Sequence, residues 1–352
     1  MVKRIVIMAG GTGGHVFPAL AVANKLIEKG WQVSWLGTQK GLESRVVPEN
    51  NIDIDWLSVT GVRGKGLTSK LVALLMLLKA CWQALGVLRR RKPDVVLGMG
   101  GFVAGPGGLM AKLLGIPLII HEQNRVPGTT NRLLAKIANQ VLEAFPGSFK
   151  QQLNAKCTGN PLRQQFLQEL NSVDRQSAGD LHVLVVGGSQ GAQILNEVVP
   201  LAIAELKQPV RVLHQTGAVM RDQVEQNYLS HSVNAEVNDF IKDMAPAYQW
   251  ADLVVCRAGA MTVSEVAAAG VPAIFIPLPG AIDDHQTANA KVLTDVGAAV
   301  MLKQNELNAT SLAEHIIQVS KQLTVMSKAA KKYARLDATD IVANYCMAEA
   351  GV

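Results

Sequence analysis

Two glycine loops, each set between a continuous apolar run and a helical pattern, constrain this chain more than any other feature. Ile5-Val6-Ile7-Met8-Ala9 runs into Gly10-Gly11-Thr12-Gly13-Gly14-His15, and a helical pattern follows over 16–28. Val183-Leu184-Val185-Val186 runs into Gly187-Gly188-Ser189-Gln190-Gly191, with a helix predicted from about Ala192. An apolar run without alternation suits a parallel strand buried on both faces. The loops begin 177 residues apart in a chain of 352, so one strand–loop–helix unit is used twice.

Strands are predicted near Gln32–Leu36, Asp94–Leu97, Leu118–His121 and Gln140–Leu142, then near Val210–His214, Asp252–Val255 and Ala273–Ile276. Helical patterns fill most gaps between them. The expected class is α/β, with two Rossmann-like doubly wound domains facing each other across a cleft. Gly159-Asn160-Pro161 gathers turn residues and marks the linker, giving domains over 1–160 and 161–335. Ligands of such sheets bind at the carboxyl ends of the strands, where the glycine loops lie.

Composition narrows the possibilities. With 49% apolar and 18% charged residues the chain is not disordered, and 5% aromatics argue against a base-stacking surface and hence against nucleic acid. Cys81, Cys157, Cys256 and Cys346 form no CxxC, so they read as reduced thiols without a zinc cluster. The apolar start is too short for an export signal, and no uninterrupted run reaches the ~18 residues of a membrane span. The expectation is a soluble or at most peripheral protein. Residues 1–160 carry 20 Lys/Arg against 8 Asp/Glu, a net +12, while 161–352 carry 14 against 20, a net −6. The first half is thus the side expected to meet an anionic partner.

Backbone N–H groups at a helix start form an anion site, and glycine lets a phosphate approach them. A third loop, Gly98-Met99-Gly100-Gly101-Phe102, strengthens the expectation of a phosphorylated ligand. Val16 breaks GxGxxG, and Leu36-Gly37-Thr38 lacks the acid that would hold an NAD ribose. GxxxxGK[ST] is absent, which excludes a P-loop. Gly187–Gly191 also matches GxSxG, so a hydrolase with Ser189 as nucleophile and Asp283, Asp284 and His285 downstream is a rival. It leaves the first loop and the duplication unexplained.

GGTGGH (10–15), GMGGF (98–102), HEQN (121–124), GNPLR (159–163), GGSQGA (187–192) and GAMTVSEVAAAGVP (259–272) follow in order. Together they resemble the MurG family of bacterial UDP-N-acetylglucosamine transferases. The resemblance implies a GT-B fold and an inverting transfer of GlcNAc from UDP-GlcNAc to lipid I, giving lipid II in peptidoglycan synthesis. The lipid acceptor then lies on the N-terminal side, and the tail, a predicted helix over 336–352, returns to complete the first domain. A UDP-sugar epimerase of the same fold and a non-catalytic nucleotide-sugar sensor are the alternatives.

The resemblance also assigns roles. Ser189 and Arg163 would hold the UDP diphosphate, and Arg163 can do so as a charged fork. Ala260, Met261, Thr262, Val263, Ser264 and Glu265 lie on the donor side, with the Glu265 carboxylate accepting both ribose hydroxyls. Thr262-Val-Ser-Glu265 also reads as a capping box, which would merely start a helix. Ile241 would meet the uracil through its backbone, and Gln286, with Asn289 three residues on, would meet sugar hydroxyls. Thr12, Gly13, Gly14, His15 and Asn124 would face the transferred sugar and the acceptor. Inversion by single displacement needs one general base. His15 is the candidate, with His121 and Glu122 as competitors. No cofactor or protein-liganded metal is expected, a divalent cation acting at most as a stimulant; Asp53-Ile-Asp55 reads as surface charge rather than a metal-binding DxD.

Leu71–Leu78 is eight apolar residues, followed by Trp82 and by Arg89-Arg90-Arg91-Lys92. In the basic half, region 71–92 fits an interfacial helix on anionic lipid. The expected location is the cytoplasmic face of the plasma (inner) membrane, held peripherally, where other cell-wall synthesis proteins are possible partners.

Overall fold

A computed structural model describes residues 2–59, 67–170, 179–188, 191–280 and 284–351, without the side chains of 67–71. The chain divides into two compact units, Met1–Arg163 with Leu336–Val352, and Gln164–Arg335. The division follows Pro161 and Leu162, which are buried in the first unit, where Leu162 O accepts from Thr339 Oγ1 at 2.8 Å.

The first unit runs β1 (Arg4–Ala9), α1 (Gly13–Glu28), β2 (Gln32–Gly37), α2 (Glu43–Glu49), β3 (Asp53–Trp56), α3 (Leu67–Arg91), β4 (Val95–Gly100), α4 (Ala104–Leu113), β5 (Leu118–Glu122), α5 (Thr129–Leu134), β6 (Gln140–Glu143) and β7 (Lys156–Cys157). All seven strands are parallel, in the order β3-β2-β1-β4-β5-β6-β7. Ile5, Ile7 and Ala9 face one core and Val6 and Met8 another, the pattern of a strand covered on both sides. The strand order reverses between β1 and β4. That switch point brings the Gly10–His15 segment beside Gly101.

The second unit runs α6 (Gln164–Leu170), β8 (Leu181–Val186), α7 (Gln193–Ala204), β9 (Val210–Gln215), α8 (Arg221–Ser230), β10 (Asn234–Asn238), α9 (Met244–Trp250), β11 (Leu253–Cys256), α10 (Ala260–Ala269), β12 (Ala273–Phe275), α11 (His285–Thr294), β13 (Ala299–Met301), α12 (Ala309–Ser320) and α13 (Leu323–Tyr333). Its six strands are also parallel, in the order β10-β9-β8-β11-β12-β13, with the reversal between β8 and β11. The last helix, α14 (Ala338–Glu349), belongs to the first unit: Val342, Ala343 and Cys346 enter the core of Ile5, Val16 and Leu26. Lys25 Nζ meets Asp340 Oδ1 at 2.7 Å on its rim.

Three sequence expectations change. Helix α1 begins at Gly13 rather than Val16, so Gly13, Gly14 and His15 form its first turn. The third glycine segment is mostly strand, since β4 continues through Gly100. Residues 71–91 lie in one unbroken helix with Lys92 just past its end, and by length and composition Val72–Arg91 is apolar enough to cross a membrane, with mean hydropathy 1.5. Its second half is nevertheless core: Ala80, Ala84, Val87 and Leu88 are buried. Val72, Leu74, Leu75, Leu77 and Leu78 are exposed, and Trp82 is 77% exposed. Asp53 and Asp55 are not free surface charges, because Arg91 bonds both and Arg90 bonds Asp55.

Two predictions follow from this packing. Val342→Asp should cost about 3–5 kcal/mol in urea unfolding by burying an uncompensated charge, whereas Asp340→Ala at the rim should stay within about 1 kcal/mol. Burial pushes the imidazoles of His121 down to about 4 and of His214 to about 3 from the ordinary 6.5. Both stay neutral in the folded chain over a range where the unfolded chain binds protons. Their contribution is therefore fully present above pH 6.5 and is lost as pH falls through the folded values. Replacing His214 by Phe should reduce the slope of stability against pH between 6 and 4 by about one proton.

Candidate active site

At the first switch point the glycine segment is gripped from below by a buried carboxylate. Glu43 Oε2 accepts from Gly11 N at 2.9 Å, and Oε1 accepts from Thr38 N at 2.9 Å and Thr38 Oγ1 at 2.7 Å. Trp35 Nε1 donates to Ala9 O at 2.8 Å, fixing the end of β1. Gly101, at φ +82°, lets the β4 turn approach: a Cβ there would lie 2.4 Å from Gly10 O. Thr12 is the N-cap of α1 without a side-chain cap bond, which leaves the first amides of the helix, at Gly13 and Gly14, as donors. Glu43 was not among the expected residues; the fixed spacing from glycine loop to β2 turn carried no sign of it.

The HEQN segment places the three candidate bases in different surroundings. Glu122 is buried and its carboxylate accepts four bonds: Oε1 from Asn124 N at 2.9 Å and Asn124 Nδ2 at 3.2 Å, Oε2 from Gly128 N at 3.1 Å and Asn131 Nδ2 at 2.9 Å. His121 is fully buried, with Nε2 at 3.0 Å from Gly159 O and Nδ1 at 3.1 Å from Gln123 Nε2. Neither offers a basic atom at the surface. His15 is half-buried, and its Nδ1 lies 2.7 Å from Gln123 Oε1. Asn124 turns its amide back on Glu122, beside His15's neighbour Gln123.

In the second unit a cavity of about 610 Å³ opens at the switch point, lined by Gly187, Gly188, Gly191, Arg257, Gly259, Thr262, Gln286 and Gln304 among others. It brings together the glycine loop after β8, the turn after β11 and the start of α11. Ser189 lies outside the described residues, as do Gln190 and Asp283. Arg257, missed by the sequence analysis, is locked in place: Nη1 donates to Ile276 O at 3.0 Å and Pro277 O at 3.2 Å, and Nη2 to Gln304 Oε1 at 2.8 Å. Burial lowers its pKa from the ordinary arginine value. A lone arginine three residues before a helix start has no sequence pattern to betray it.

Helix α10 starts at Ala260 with Gly259 as an uncapped N-cap, so Glu265 sits in its second turn and the capping-box reading fails. The first amides, at Ala260, Met261 and Thr262, precede the first helical bond, from Val263 N to Gly259 O at 2.9 Å. Val263 itself is core, and Ser264, half-buried, donates its Oγ back to Ala260 O at 3.0 Å. Glu265 Oε2 accepts from the buried Tyr248 hydroxyl at 3.2 Å. Ile241 N donates to Gln215 Oε1 at 2.9 Å, and Gln215 Nε2 donates to Gly188 O at 2.9 Å, so one buried glutamine joins the glycine loop to the Ile241 turn.

Gln286 Oε1 accepts from Leu278 N at 2.9 Å and Ala258 N at 3.3 Å. Asn289 is fully buried, donating to Ala258 O at 3.2 Å, and so braces the turn behind the cavity rather than lining it. Arg163, exposed at the end of the first unit, stands over the Phe17 ring at 5.6 Å and is not among the residues lining the cavity. Among the described residues no group of three or more His, Cys, Asp or Glu gathers to hold a metal.

The glycosyltransferase family 28 N-terminal domain matches residues 5–143, and the family's C-terminal domain matches 182–345. A protein of Methylococcus capsulatus, named UDP-N-acetylglucosamine--N-acetylmuramyl-(pentapeptide) pyrophosphoryl-undecaprenol N-acetylglucosamine transferase, is 60% identical over 355 residues covering all of both chains. The crystal structure of Acinetobacter baumannii MurG is similar at TM-score 0.85 and 42% identity, covering 98% of this chain and 99% of that one. A UDP-GlcNAc 2-epimerase from Neisseria meningitidis shares the fold alone, at TM-score 0.68 and 14% identity over 97% and 99% of the two chains. With two parallel-sheet units, matches to both family domains and relatives of this identity along its whole length, the chain has the GT-B fold and belongs to the MurG family of N-acetylglucosamine transferases within glycosyltransferase family 28.

Proposed function

We propose that the chain transfers GlcNAc from UDP-GlcNAc to the 4-hydroxyl of the MurNAc group of lipid I, giving lipid II for peptidoglycan. The observation that carries this reading is the 60% identity, end to end, to a transferase named for that donor and acceptor. UDP-GlcNAc occupies the cavity of the second unit. The diphosphate meets the glycine loop with Ser189 and the first turn of α10 at Ala260, Met261 and Thr262, and the fixed charge of Arg257 supports it. Glu265, oriented by Tyr248, accepts the ribose hydroxyls. The backbone at Ile241, steadied by Gln215, meets the uracil, and Gln286 retains its amide nitrogen for the sugar.

The acceptor belongs to the first unit, where Thr12, Gly13, Gly14, His15 and Asn124 face it and the transferred sugar. The acceptor oxygen attacks the anomeric carbon, the bond to UDP breaks, and that centre inverts. His15 takes the hydroxyl proton, worth ~10²–10⁴ in rate. Arg163 joins the diphosphate as a second cation. No cofactor is required, and a divalent cation acts only as a stimulant on the diphosphate.

We further propose peripheral attachment to the cytoplasmic face of the plasma membrane. Val72, Leu74, Leu75, Leu77, Leu78 and Trp82 of α3 are exposed, and so are Leu109 and Leu113 of α4. Arg89 and Lys92 are exposed at the other end of α3, whereas Arg90 and Arg91 already pair with Asp55 and Asp53. A helix of this kind, exposed and apolar toward one end and cationic at the other, suits an anionic lipid surface, where other cell-wall enzymes would be met.

Turnover with a lipid I analogue, following UDP and lipid-linked disaccharide together, should give both in equal amounts with a β linkage. UDP without disaccharide, or epimerised UDP-sugar, would overturn the acceptor chemistry. On vesicles rich in anionic lipid at low salt, Leu75→Ser/Leu78→Ser and Arg89→Gln/Lys92→Gln should each be retained several-fold less than wild type; equal retention would remove the membrane face.

A further inference from the structure

The bonds around His15 form a chain whose direction is set at both ends. Gln123 is fully buried, and its Nε2 lies 3.1 Å from His121 O, a carbonyl that can only accept. The amide is thereby oriented, with nitrogen toward His121 and oxygen toward His15. At the far end His121 Nε2 lies 3.0 Å from Gly159 O, again an acceptor, so that nitrogen carries the proton and His121 Nδ1 is the lone pair that receives Gln123 Nε2 at 3.1 Å. At the near end Gln123 Oε1 can only accept, so His15 Nδ1, 2.7 Å away, carries the proton. A neutral imidazole has one N–H. The remaining nitrogen of His15, Nε2, is therefore a lone pair.

We propose that Gln123 is a positioning residue that holds His15 in its Nδ1–H tautomer and so presents Nε2 as the proton acceptor for the transfer. This rests on the reading of His15 as general base. Two further features hold the arrangement. Gln123 O accepts from Asn160 Nδ2 at 3.1 Å, anchoring the residue's backbone. Gly100 lies against the imidazole, where a Cβ would come within 2.9 Å of Cε1 and Nδ1. The same logic governs other enzymes in which a buried acceptor fixes the tautomer of a basic histidine, but here the acceptor is a neutral amide.

The test uses the full chain labelled with ¹⁵N-histidine, the His15 signals being assigned by their loss in His15→Ala. Wild type should show a protonated Nδ1 and an unprotonated Nε2 at neutral pH; a protonated Nε2 with a bare Nδ1 overturns the proposal with no substitution at Gln123 needed. Gln123→Met keeps the volume and removes the acceptor. It should mix the tautomers and lower kcat by about 10²-fold, with KM for UDP-GlcNAc within twofold, since Gln123 is fully buried and reaches no substrate. The double variant His15→Ala/Gln123→Met should be no slower than His15→Ala alone. Additive losses would make Gln123 merely structural and overturn the proposal. Near-normal turnover of His15→Ala would remove the base reading, and the catalytic role of Gln123 with it, while the tautomer measured in wild type would still show whether the bond chain was read correctly.

Discussion

Buried carboxylates that accept from loop amides hold the working end of the first unit together. A parallel sheet pairs its strands but leaves the amides of the turns beyond their carboxyl ends without partners. Glu43, Glu122 and Glu143 fill that need: Glu43 for Gly11 and Thr38, Glu122 for Asn124 and Gly128, and Glu143 for Gly147 at 2.8 Å and Phe149 at 3.0 Å. Each is nearly or fully buried, which is tolerable only because donors surround it. The position of the glycine segment, and of His15 in the first turn of α1, depends on these acceptors.

The second unit solves the same problem with neutral amides. Gln215 joins Gly188 to Ile241, Asn196 donates to Thr216 O at 3.0 Å, Gln286 collects Leu278 and Ala258, and Asn289 braces Ala258. An amide organises the same backbone as a carboxylate would, but without adding a buried charge. Counted by unit, the first carries 21 Lys/Arg against 11 Asp/Glu, a net +10, and the second 13 against 17, a net −4, so the first unit is basic despite its buried carboxylates.

Helix α3 carries two demands at once. Its second half supplies Ala80, Ala84, Val87 and Leu88 to the core, and its last turn ties Arg90 and Arg91 to β3. Its first half leaves leucines in the open, which a chain folded only for stability in water has no reason to keep. Holding one half rigidly against the sheet gives the other half a fixed presentation.

Periodicity and turn chemistry determined the doubly wound class, because a strand buried on both faces must be continuously apolar and a tight strand-to-helix turn favours glycine. Ordered motifs then sufficed for the family. Short edge strands such as Asp53–Trp56 and Ala299–Met301 escaped, since a few residues carry no readable period. What only the tertiary structure decided was which polar residues work on the backbone. Glu43, Arg257, Gln123 and Gln215 owe their roles to carbonyls and amides from distant segments. Glu122 and Asn289, which read as candidates in sequence, are consumed by such bonds. A side chain's chemistry is written in its residue type, but its partners, and so its protonation and availability, are set by the fold.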